Sequence, residues 1–141
     1  MTFDEIKTII ESGGFAKHTG IEILEAENGH ALGRIVLGKV HGNSIGAVHG
    51  GCIFTLIDTV AGTAFVTTGK ICTTLSSNID FLSAAIESKE LTAQAVPARI
   101  GYHIACLLYT SLDRTAAEWK MLLARSAAGG ESCQAGFFLA L

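Results

Sequence analysis

At 141 residues, with 49% hydrophobic residues and a mean hydropathy of +0.43, the chain is long enough for one core and short for two, so one domain over residues 1–141 is expected. Charged residues make up only 16% and the formal net charge is −3, which excludes a broad basic field for nucleic acid or an anionic membrane. A small molecule or another protein is the expected partner.

The four cysteines, Cys52, Cys72, Cys106 and Cys133, are widely spaced with no C-x-x-C, and no basic, apolar, small-residue leader precedes Thr2. Reduced thiols packed as small core residues in a cytoplasmic protein are expected.

In chain order, "MTFDEIKTIIESGG" opens with Thr2 three residues before Glu5, a capping box, followed by apolar Ile6, Ile9 and Ile10 and a Gly13-Gly14 stop. A short helix is expected there. Next, "GIEILEAENGHALGRIVLG" places two β-rich runs around Asn28-Gly29, the dipeptide that best tolerates positive φ at both central positions of a tight hairpin turn. Strands over 21–27 and 30–37 follow.

Residues 39–48 are turn-rich, whereas 51–67 are apolar around most of a helical circumference. A helix of that kind must be wrapped on nearly all sides. It is shorter than the roughly 20 apolar residues of a membrane span and carries Asp58, so it is read as a buried helix.

After Gly69 come "CTTLSSNIDFL", "ELTAQAVPARI", "GYHIACLLYTSL" and "SCQAGFFLAL", four β-leaning runs with short breaks and with Pro97 near a strand end. The fold class is therefore α+β, an antiparallel sheet of about six strands curled round one long central helix. Between the last two runs, residues 115–130 carry a second capping box (Thr115, Glu118) and apolar Trp119, Leu122 and Leu123 at helical spacing, which predicts another helix.

The chemistry concentrates in "GNSIGAVHGGCIFTLIDTVAGTAF", residues 42–65. Gly50 and Gly51 fall where the loop becomes the helix, and first-turn N–H groups have no internal partner, so a substrate carbonyl can approach that backbone as an oxyanion hole requires. The same pair also suits a tight loop-to-helix turn. Asp58 shares a helix side with Gly51, Phe54, Ala61 and Gly62, no Lys or Arg lies within a turn or two of it, and a mid-helix carboxylate cannot cap its own helix. Either it satisfies local backbone groups or it faces a polar cleft. The five histidines have no i, i+4 partner or cysteine at ligand spacing, so no metal site is expected.

The pattern N-x-x-G-x-x-H-G-G, an Asp nine residues after the His, and then "NIDFL" together resemble the hotdog-fold acyl-CoA thioesterases of the phenylacetate-degradation (PaaI-like) type, over about residues 15–112. The resemblance implies a hotdog fold, a homodimer or homotetramer with sites at subunit interfaces, and hydrolysis of an acyl-CoA substrate without metal or cofactor. It puts the catalytic carboxylate on Asp58, the motif amide on Asn43 and the backbone holding the thioester oxygen on His49 and Gly50. A hydroxyl from the facing strand of the other subunit falls on Thr74, with Ser76 as the alternative. Gly51 and Phe54 are expected beside the substrate. Where the family commonly carries a basic residue and proline, this chain has Ser83-Ala84, and 115–130 matches nothing in the family. A non-catalytic acyl-CoA-binding hotdog protein is the alternative; a hydratase would need a paired Asp and His at a spacing not found here.

Overall fold

The computed structural model describes residues 1–81, 84–101, 104–112 and 135–140. Ser83, Cys133 and the helix expected over 115–130 lie outside the described residues.

The first helix, α1 (Phe3–Ser12), starts as its capping box dictates: the Thr2 hydroxyl accepts from Glu5 N–H and the Glu5 carboxylate accepts from Thr2 N–H. Gly13 ends it in an extended conformation. Only Gly13 acts as the stop, because its carbonyl accepts from Lys17 N–H and Gly14 opens a second short helix, α2 (Gly14–His18).

Strands β1 (Ile21–Glu27) and β2 (His30–Val36) close through Asn28 and Gly29, both at positive φ, as the Asn-Gly signal requires. After a single 3-10 turn (Lys39–His41) comes the long helix α3 (Gly50–Val66), then β3 (Thr73–Ser77), β4 (Glu90–Ile100), β5 (Ile104–Leu112) and β6 (Ala135–Ala140). The strands form one antiparallel sheet in the order β1-β2-β4-β5-β6-β3. Pro97 sits inside β4, next to an irregularity between Pro97 and Arg99, where a missing N–H donor is tolerated.

Helix α3 lies on β2, β4 and β5. Its Leu56, Ile57, Val60, Ala61, Ala64 and Phe65 are buried against Ile23, Ile35, Leu91, Ala93, Ala95, Ala105 and Leu107 of the sheet. Each large side chain in that layer contributes roughly 1.5–3 kcal/mol of burial. Gly33 of β2 lets the helix come this close: a Cβ there would stand 2.6 Å from a Val60 methyl.

The helix is not wrapped on all sides. Thr55, Asp58, Thr59, Gly62 and Val66 form a half-buried strip away from the sheet, flanked by α1, α2 and β3. Its side chains are small or polar, so the high average hydropathy of the segment conceals a face that water or a ligand can reach.

Candidate active site

The loop before α3 is built by Asn43. Its Oδ1 accepts from the N–H groups of Ile45 and Ala47, both at 3.0 Å, and its own N–H donates to the Ala47 carbonyl at 2.8 Å. An Asn side chain folded onto its own loop is a turn-builder, and its carbonyl oxygen is committed to that task. Two further bonds pin the loop: Val48 N–H donates to Ala85 O at 2.9 Å and His49 N–H to His41 O at 2.8 Å.

His49 is the N-cap of α3. Its Nδ1 accepts from Gly51 N–H at 2.8 Å, and its carbonyl accepts from Cys52 and Ile53 N–H at 2.9 and 3.3 Å. While the ring holds that bond, Nδ1 carries no hydrogen, so the side chain shapes the helix start. Among the described residues, Gly50 N–H is the one first-turn amide of α3 with no partner. A Cβ on Gly50 would come within 3.2 Å of the Phe81 ring, and one on Gly51 within 3.0 Å of His49 Nδ1, so both glycines are held bare by close neighbours.

Eight residues further on, Asp58 is half-buried and its Oδ1 accepts from the Thr74 hydroxyl of β3 at 2.7 Å. Thr74 and Asp58 belong to the same chain, so this hydrogen bond forms within one copy. Ser76 is exposed beyond a register slip between Thr74 and Ser76, and the carboxylate's hydroxyl partner is Thr74. Among the described residues no other side chain donates to Asp58, which leaves Oδ2 available.

The pair stands at an open groove of about 390 Å³ between α1–α2 and the α3–β3 layer. Ile9, Ile10, Ala16 and Val66 supply its apolar wall, and Gly13, Thr59, Gly62, Thr63, Cys72 and Thr73 complete it. Thr63 donates its hydroxyl to Thr59 O at 2.7 Å, so it makes no polar demand on a ligand. Burial raises the Cys72 thiol above its ordinary range, and the nearby Asp58 charge pushes it the same way. Cys72 is therefore a protonated thiol beside the carboxylate.

Gly51 and Phe54 are not part of this groove. Phe54 packs at the margin of the core and Gly51 belongs to the helix cap. The free amide is equally remote from the carboxylate: eight residues at about 1.5 Å each separate Gly50 from Asp58 by roughly 12 Å along the helix. A carbonyl group spans about a tenth of that distance. One carbonyl group cannot touch both the Gly50 amide and the Asp58 carboxylate of one copy.

A family model described as the thioesterase superfamily matches residues 45–120, more than half of the chain, from the loop before α3 to well past Asp58 and Thr74. The chain belongs to the thioesterase superfamily. Its fold is the hotdog fold, a sheet curled round one long helix, as solved relatives show. Zebrafish thioesterase superfamily member 2 superposes with a TM-score of 0.76 at 20% identity, covering 99% of this chain and 97% of that one. The Escherichia coli PaaI protein from the phenylacetic acid degradation operon gives 0.69 at 21%, covering 94% and 85%. A Streptococcus pneumoniae thioesterase protein solved with coenzyme A gives 0.68 at 23%, covering 85% and 84%. By sequence, an Archaeoglobus fulgidus protein named "Putative esterase" is 34% identical over 86 residues, 61% of this chain. That aligned stretch spans 56% of the curated relative, a little over half its length. Among the described residues of this thioesterase-superfamily chain, no helix is long and apolar enough to cross a membrane.

The sequence reading missed the contribution of α1 and α2 to the groove. Ile9 is left 57% exposed on α1, at the rim of the groove, which only the packed helices reveal. Cys52, Cys72 and Cys106 are half-buried free thiols; Cys52 and Cys72 pack against the core, and Cys72 also lines the groove.

Proposed function

We propose that this chain hydrolyses an acyl-CoA thioester to the free acid and CoA, with Asp58 as general base or nucleophile. The observation that carries the proposal is the Thr74–Asp58 hydrogen bond at the apolar groove. A carboxylate with one oxygen held by a hydroxyl and the other available is poised to act on a carbonyl, whereas binding alone has no use for it.

As a base, Asp58 takes a proton from water while the water oxygen attacks the thioester carbon. The tetrahedral oxyanion then collapses, the C–S bond breaks, and the CoA thiolate leaves and is protonated. As a nucleophile, a carboxylate oxygen attacks the same carbon, thiolate leaves, and water hydrolyses the mixed anhydride. Both routes need a donor for the oxyanion, which we assign to Gly50 N–H with His49 as the group that sets its direction. Asn43 acts at one remove, by fixing the loop that carries them.

Because Gly50 and Asp58 of one copy lie too far apart, the donor comes from a second copy, and the active protein is a homodimer or a tetramer built from such dimers. Residues 1–141 form one hotdog domain, acting in the cytoplasm on acyl-CoA with no metal or cofactor. Support for CoA as the leaving group comes from the Streptococcus pneumoniae relative solved with coenzyme A. Light scattering at micromolar concentration tests the assembly, since a chain mass of 14.8 kDa makes monomer and dimer easy to separate. Thiol release across a panel of acyl-CoA esters tests the activity. Saturable binding without turnover on any ester would make the protein a binder and overturn the proposal.

A further inference from the structure

We propose that Gly62 is the residue that sets acyl-chain length, and that the groove between α1 and α3 takes an uncharged, apolar acyl chain of medium length. This rests on the hydrolytic reading above in placing the thioester carbonyl at Asp58 and Thr74.

Gly62 follows Asp58 by one helical turn on the same side of α3 and lines the same groove. Glycine inside a helix is destabilising relative to alanine, and its usual justification is a neighbour that leaves no room for a Cβ, as at Gly33. At Gly62 that justification is missing: a Cβ built there meets no described atom within 4 Å. The space is open and it faces the groove beside the carboxylate.

The groove's walls say what would fill that space. Ile9 and Ile10 of α1 and Val66 of α3 are apolar, Thr63 is internally satisfied, and Asp58 is the sole charged side chain of the lining. With no cation present, a dicarboxylic acyl group would bring an unpaired negative charge close to Asp58, which is unfavourable. From Asp58 to Val66 is eight residues, about 12 Å of helix, which matches the extended length of an acyl chain of roughly eight to ten carbons. The chain would run from the carbonyl past Gly62 to Val66, with α1 as its outer wall.

The test is a series of acyl-CoA esters from acetyl to dodecanoyl, assayed on the wild type and on Gly62→Ala and Gly62→Leu. The ratio of kcat/KM for decanoyl over acetyl should fall at least tenfold in Gly62→Leu, with a smaller drop in Gly62→Ala. Thermal unfolding should show Gly62→Ala at least as stable as the wild type. The same ratio is also measured as affinities by calorimetry in an Asp58→Asn background, so that it does not depend on turnover. A wild type that hydrolyses none of the esters, with a binding ratio that still falls, would sink the hydrolytic reading and leave the groove assignment standing. Turnover with an unchanged ratio would sink the assignment of Gly62 alone. If Gly62→Leu lowers all esters equally and light scattering shows that it no longer assembles, Gly62 serves a subunit contact and the inference is overturned.

Discussion

The two ends of the chemistry on α3 are built in opposite ways. At its N-terminus everything is backbone: Asn43 and His49 spend their side-chain acceptors on neighbouring amides and leave Gly50 N–H without a partner. Two turns on, the chemistry is side chain: Asp58 held by Thr74 at an apolar groove. One end offers a donor and no base, and the other a base and no backbone donor. On the proposed mechanism neither end is a hydrolytic site alone, and the helix is too stiff and too long to bring them together.

The largest expected effect separates them most sharply. Asp58→Asn preserves shape and removes the base, so kcat should drop roughly 10²- to 10⁴-fold, the range of acid–base catalysis, with the fold intact. Circular dichroism and thiol release check this together. Unfolding of the variant with normal specific activity in its folded fraction would make Asp58 structural. A composite site adds a sharper consequence: Asp58→Asn mixed with an inactive substitution at Gly50 should recover activity, to about a quarter of wild type for random two-fold dimers. No recovery after verified subunit exchange would remove Gly50 N–H as the donor, since one copy cannot bring that amide and Asp58 to one carbonyl.

How much of this was legible beforehand divides along the same line. The capping box of α1, the Asn28-Gly29 turn and the run of β4 are local signals, and the structure matches each of them. The neighbour of Asp58 is a non-local fact. β3 pairs with β6, whose residues lie some sixty positions later, and a register slip falls between Thr74 and Ser76. Counting along the sequence therefore suggested two hydroxyls, and only the folded sheet distinguishes them. Likewise nothing in "IKTII" announces that α1 will wall a groove on α3, because the partner face is assembled by tertiary packing. The distance between Gly50 and Asp58, by contrast, follows from helical rise alone.

Next in size is the hydroxyl. Thr74→Ala removes a hydrogen bond to a charged oxygen, an interaction of roughly 1.5–3 kcal/mol, so kcat should fall about ten- to hundredfold. Thr74→Ser should restore most of it, since the hydroxyl alone is required. Equal loss in Ala and Ser variants would mean that Thr74 acts by packing.

At the other end, Gly51→Val would drive a branched side chain at His49 Nδ1, where even a Cβ stands only 3.0 Å away. The imidazole must swing off Gly51 N–H, which costs about 1 kcal/mol of capping and turns the Gly50 amide. A thermal midpoint lower by a few degrees with roughly tenfold lower activity is expected, and an Asp58–Thr74 pair left untouched. Wild-type stability and turnover in this variant would remove the argument for Gly50 as the donor.

The smallest effect uses the two cysteines that flank the comparison. Burial alone raises the Cys52 thiol near the helix start, whereas Cys72 is raised first by burial and then by the charge of Asp58. Alkylation by iodoacetamide follows the thiolate fraction, so both should react slowly near neutral pH and faster as pH climbs past the ordinary thiol range. In Asp58→Asn the negative charge is gone, one of the two causes holding the Cys72 proton disappears, and its thiolate fraction at a given pH increases. Cys72 should then be alkylated a few-fold faster while Cys52, far along the helix, keeps its rate. Mass spectrometry of modified peptides reads both sites in one experiment, with Cys52 as the internal reference for any general loosening of the fold. If the ratio of the two rates does not move, Asp58 does not help hold the Cys72 proton, and burial alone accounts for the slow reaction of that thiol.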